Sequence, residues 1–161
     1  MTTQIGSLTF DDDTGSAIAF ERSYAVPPER LWRAIATKEG LSGWLADGEF
    51  DGREGGAVRF EFNEDQTVTG EILVWDPYSE LTHTWNINGE IPSTLNYRIH
   101  ETATGSTLTL THTKLPAEMA GGYTPGWHAY LDRLGQSLRG SDVQTWDELF
   151  ERAMPLYMPT D

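Results

Sequence analysis

The chain has 161 residues, with 25 Asp and Glu against 11 Lys and Arg, a formal charge of −14. Neither nucleic acid nor an anionic membrane surface is an expected partner, because both call for a cationic footprint. Cysteine is absent, which excludes disulfides, a thiol nucleophile and a thiolate metal site.

Hydrophobic residues make up 38% of the chain and aromatics 11%, enough for one core. A single domain over 1–161 is expected, with a core at about 16–140 and an accessory C-terminal helix at 141–155. Met1 to Ser7 lack the basic and apolar runs of a signal peptide. No stretch approaches the ~18 apolar residues of a membrane span. Cytoplasmic residence is therefore expected.

Residues 16–24 read as a strand. Pro27 and Pro28 stop it and set up a helix start, where a missing N–H costs nothing. Leu31, Ala34 and Ile35 fall at i, i+3 and i+4, a helical face. Gly40 is expected to break that helix, and Leu41 to Leu45, with Trp44, read as a short second one. From Phe50 to Leu115 strand follows strand. Val58, Phe60 and Phe62 alternate with polar residues. After a turn near Asn63, Glu64 and Asp65 comes a strand from Thr67 to Trp75, closed by Asp76 and Pro77. Leu81, His83 and Trp85 share the next apolar face, and a loop is expected at Asn88 and Gly89. Leu95, Tyr97 and Ile99 follow, and after Thr104 and Gly105 come Leu108, Leu110 and His112. The short gaps imply antiparallel pairing.

Gly121, Gly122, Pro125 and Gly126 read as a loop. Trp127, Leu131, Leu134 and Leu138 then recur at helical spacing, with Gly140 as the stop. Ser141 to Gln144 fit a capping box for a last helix carrying Trp146, Leu149 and Phe150, ended by Pro155. A curved antiparallel sheet of about six to seven strands around a long C-terminal helix buries all these faces at once. The expected class is α+β.

Several segments in this order resemble one known family. Val26 to Ile35 resemble its opening helix, and Leu41 to Trp44 the segment after it. Phe50 to Gly56 are similar to its Gly-Gly hairpin. Gly70 to Pro77, with Leu81, Thr84 and Trp85, resemble its central strands. Leu108 to His112 and Gly126 to Leu134 are similar to its last strand and long helix. The family is that of homologues of the activator of the ninety-kilodalton heat-shock chaperone ATPase, a START-like branch of the birch-pollen-allergen-like superfamily. The resemblance runs from about 18 to 138. It implies the helix-grip fold, in which the gap between sheet and helix is commonly a cavity. The chaperone role belongs to two-domain relatives, and no second domain of that kind is read here, so a chaperone is not the expected partner.

Candidate chemistry is sparse. His83, His100, His112 and His128 form no metal-binding motif. The Gly-rich run Gly52 to Gly56 lacks the Lys-Ser/Thr of a phosphate loop. Asp11 to Gly15 do not match a calcium loop. No catalytic residue, metal or cofactor is assigned. The strongest signal is aromatic: Trp44, Phe60, Phe62, Trp85, Tyr97, Trp127 and Tyr130 fall on expected inward faces. Either they close a core or, with Leu95, His112, Leu131 and Leu134, they line a pocket for a small hydrophobic or amphipathic molecule. In the pocket reading Trp44 stands near an entrance and His112 is a polar anchor. In the core reading His112 is a hydrogen-bonded interior histidine. The alternatives are a protein-interaction module, as monomer or homodimer, and an enzyme for a small apolar substrate.

Overall fold

Pleated alternation builds most of this molecule. The computed structural model describes residues 6–11, 15–63, 66–88 and 92–157. The turn residues Glu64, Asp65 and Gly89 and the loop Asp12 to Thr14 lie outside the described residues.

Strands β1 (Ser7–Asp11) and β2 (Gly15–Tyr24) form the first hairpin. Helices α1 (Pro28–Ile35) and α2 (Lys38–Ser42) follow. Then come β3 (Asp47–Phe50), β4 (Ala57–Asn63), β5 (Gln66–Asp76), β6 (Glu80–Thr84), β7 (Asn86–Ile87), β8 (Thr94–Thr102) and β9 (Gly105–Leu115). Helices α3 (Ala117–Leu138) and α4 (Trp146–Ala153) close the chain, with a 3₁₀ turn at Met154–Leu156. The sheet order is β1-β2-β9-β8-β6-β5-β4-β3, with β7 beside β5. Every pairing among the described residues is antiparallel. This is the expected α+β helix-grip architecture, with nine strands among the described residues rather than six or seven. Strands β3 and β7, four and two residues long, are not among those marked by alternation in the sequence.

Register shifts bend the sheet around α3. They fall between Ser16 and Ile18, between Glu61 and Asn63, and between Ile72 and Val74. An extra residue in one strand raises the local twist. The inner face carries Ile18 and Phe20, Val58 and Phe60, Leu81 and His83, Leu95 and Tyr97, and Leu108 to His112 in alternation, all buried. The buried stripe of α3 lies against it through Trp127, Leu131 and Leu134. The Tyr24 hydroxyl donates to the Leu131 carbonyl at 3.1 Å, and Arg22 pairs with Asp132 at 2.8 Å. The first and last described residues meet beside the same helix. The Gly6 N–H donates to the Tyr157 hydroxyl at 2.8 Å, and that hydroxyl lies 2.7 Å from His128 Nδ1.

Three local expectations are corrected. Gly40 lies inside α2 rather than breaking a helix. Thr37 caps that helix, accepting from the Gly40 N–H at 3.0 Å. A Cβ on Gly40 would stand 2.0 Å from the Arg33 carbonyl oxygen, so the glycine is there for close helix-to-helix contact. The expected loop at 121–126 is helix: α3 runs through it unbroken. Pro125 removes one backbone donor, but the surrounding turns hold, and the Thr124 hydroxyl donates back to the Ala120 carbonyl at 2.9 Å. The N-cap of α4 is Thr145, not Ser141. Thr145 Oγ1 accepts from the Glu148 N–H at 3.2 Å. Gln144 is used instead to tie the preceding segment to α3, through two 2.8 Å bonds with Gln136. Gly140 does end α3, with φ +71° and the paired 140→137 and 141→136 bonds of a Schellman motif.

Candidate functional site

Two aromatic and polar zones lie between α3 and the sheet, one closed and one open. The closed zone centres on His112, which β9 turns inward and which is fully buried. The Trp127 indole N–H donates to His112 Nδ1 at 3.0 Å. His112 Nε2 lies 2.8 Å from the Ser93 hydroxyl, which itself donates to the Trp85 carbonyl at 2.7 Å. Since the serine proton is committed, His112 is the neutral Nε2–H tautomer and donates to Ser93. Burial pushes its pKa down to about 3, with His83 adding to the effect. Burial also pushes His83 down to about 4, against the opposing bond from its ring N–H to the Thr84 carbonyl at 2.8 Å. Both rings are neutral at neutral pH.

The open zone is a cavity of about 630 Å³. It lies where the end of β4 and the start of β5 face the first half of α3 and the start of α4. Phe62, Gln66 and Trp85 come from the sheet side. From α3 come Gly122, Tyr123, Gly126, Trp127 and Tyr130, and from α4 and its cap come Thr145, Trp146, Asp147 and Phe150. Seven of these twelve residues are aromatic. Four rings make a closed circuit: Phe62 to Trp85 at 5.8 Å, Trp85 to Trp127 at 5.3 Å, Trp127 to Tyr130 at 5.9 Å and Tyr130 to Phe62 at 6.0 Å. Trp146 joins them across Tyr130 at 5.7 Å and stacks on Phe150 at 4.5 Å. Its indole N–H donates to the Gly126 carbonyl at 3.2 Å, which fixes α4 over the cavity. A Cβ on Gly126 would stand 3.6 Å from the Trp146 ring, at ordinary van der Waals distance.

Polar groups in this wall are few, as in ligand pockets generally. The Tyr123 hydroxyl accepts from the Trp85 indole N–H at 3.2 Å. Burial raises its pKa, while its hydrogen bonds to Trp85 and Gln66 act the other way. Burial also raises the Tyr130 pKa, with Arg133 lowering it and Tyr123 and Asp147 raising it. Both phenols stay protonated at neutral pH and can donate or accept a hydrogen bond.

Of the candidate site residues, Phe62, Trp85, Trp127 and Tyr130 meet at this cavity. The other seven do not line it. Phe60, Leu95, Leu131 and Leu134 are buried in the packed core. Tyr97 is buried too, and its hydroxyl finds no hydrogen-bond partner among the described residues. His112 sits behind the wall, in edge contact with Trp85 at 5.5 Å and Tyr123 at 5.4 Å. Trp44 is fully buried beneath the short helices, not at an entrance, and its indole N–H donates to the Ala34 carbonyl at 2.8 Å. Sequence reasoning missed Tyr123, which stands one helical turn before Trp127 and was hidden by the loop reading. It also missed Gln66 and the α4 residues as wall. Trp146 and Phe150, four apart on one helical face, carried a signal for packing but none for where they would pack.

Comparison with solved structures gives the same architecture. CalU16 from Micromonospora echinospora is 24% identical with a TM-score of 0.79, covering 97% of this chain and 96% of that one. Protein MLL2253 from Mesorhizobium loti is 25% identical with a TM-score of 0.73, covering 78% and 98%. DynU16, from the dynemicin biosynthetic locus, is 18% identical with a TM-score of 0.73, covering 80% of this chain and 49% of that one. No curated protein matches the chain. Among the described residues no helix is long and apolar enough to cross a membrane. The model of Activator of Hsp90 ATPase homolog 1-like proteins matches residues 25–139. With nearly the whole grip covered by that match, the chain belongs to the family of Activator of Hsp90 ATPase homolog 1-like proteins.

Proposed function

We propose that this protein binds a small, largely apolar molecule in the cavity between α3, α4 and the β4–β5 corner. The observation that carries this is the cavity itself: about 630 Å³ with seven aromatic residues in its wall, within the roughly 300–1,000 Å³ of small-molecule sites. The family's fold is one that generally holds a ligand cavity, which agrees. Helix α4 acts as a lid, held by the Trp146 bond to Gly126 and by the Gln136–Gln144 pair. The perturbed groups near the cavity owe their shifts chiefly to burial and not to paired charges. That favours binding over acid–base turnover.

The test is a titration with the neutral fluorophore N-phenylnaphthylamine. At about 0.3 kcal/mol per heavy atom its binding is worth about 5 kcal/mol, a Kd on the order of 100 µM. Saturable enhancement is expected, weakened severalfold by Trp146→Ala. Absence of saturation up to the probe's solubility limit refutes the reading.

A further inference from the structure

We propose that the cavity selects a flat aromatic ligand bearing a protonated amine over neutral or anionic ligands of the same shape. This rests on the small-molecule reading of the same site. Two independent features point to charge. Seven aromatic rings line the cavity, each with a negative π face, and the four of the circuit tilt against one another by 47° to 61°. Such faces attract a cation within about 6 Å of a ring centre. The second feature is the charge of the wall. Among the described residues Asp147 is the one acidic residue of the wall, and no lysine or arginine lines the cavity.

The opposing charge stands outside the wall. Arg133 acts on the Tyr130 hydroxyl more strongly than Asp147 does, but it does not line the cavity. The start of α4 carries about half a positive charge, but Asp147 and Glu148 both stand in its first turn. A carboxylate ligand would meet Asp147 with no cation in the wall to offset it. A flat amine would meet π faces, a carboxylate and the hydroxyls of Tyr123 and Tyr130.

Three probes of one three-ring shape test this at low salt: aminoacridine as cation, anthracenemethanol as neutral and anthracenecarboxylate as anion. The cation is expected to bind about tenfold tighter than the neutral probe, and the anion weakest. Asp147→Asn should lower the cation's affinity by about threefold to tenfold and leave anthracenemethanol within about twofold. Glu29→Gln, an exposed carboxylate on α1 outside the cavity wall, should change neither. Equal affinities for the three probes, or equal losses from the two substitutions, overturn the charge selectivity and leave the cavity reading intact. Saturable binding by none of the three overturns the cavity reading itself.

Discussion

His112 is held at both ring nitrogens, by an indole N–H on one side and a serine hydroxyl on the other. A leucine there would leave the Trp127 N–H and the Ser93 oxygen without their partner in a dry interior. An orphaned buried polar group costs about 1–3 kcal/mol, so His112→Leu is expected to lower unfolding free energy by about 2 kcal/mol or more at neutral pH. Denaturant unfolding measures this directly; an unchanged midpoint would mean that the network carries no stability. The same residue sets a pH dependence. In the unfolded chain its pKa is near 6.5, and in the folded chain it is pushed down to about 3, with His83 down to about 4. The unfolded state therefore binds more protons below pH 6.5. The stability present above that pH is lost as pH falls toward 4, by about 2 kcal/mol per histidine at pH 5. A flat stability curve between pH 7 and 5 would contradict neutral burial of both rings. The inward position of His112 was legible from its parity with Leu108 and Leu110. Its partner Ser93 was not, since it comes from the irregular segment before β8, where no periodicity reports orientation.

At the scale of elements, α3 is the piece that sequence reasoning cut short. Glycines and a proline signal a break by intrinsic preference, yet packing of Ala120, Thr124 and Trp127 on the grip overrides it. Gly121 is exposed, and a Cβ there meets nothing within 4 Å. Gly121→Ala should therefore stabilise the protein by about 0.5–1 kcal/mol, the cost of glycine inside a helix. If that segment were a loop with left-handed backbone, the same change would destabilise, and thermal unfolding separates the two. Helix α4 was legible as an amphipathic face, because Trp146, Leu149 and Phe150 share it. Its start was misplaced because Ser141 to Gln144 and Thr145 to Glu148 both spell a cap. The Schellman turn at Gly140, local to the end of α3, and the Gln136–Gln144 pairing decide between them.

For the whole molecule, alternating faces and short gaps were enough to reach a curved antiparallel sheet gripping one helix. They did not locate the cavity. Periodicity says which side of a strand is inward, and Phe60 and Phe62, or Tyr97 and Trp85, look alike by that measure. Which of them meet open space depends on where α3 stops touching the sheet and where α4 lands. We propose that the open space beside α3 and α4, and not the packed middle of the grip, receives the ligand. The six indole N–H groups report on this by two-dimensional NMR, each assigned by a single Trp→Phe replacement. On titration with anthracenemethanol, the signals of Trp85, Trp127 and Trp146 should move together and saturate, while that of Trp44, bonded to the Ala34 carbonyl in the closed core, should stay in place. Movement of Trp44 with Trp85, Trp127 and Trp146 unmoved would contradict binding in the open space.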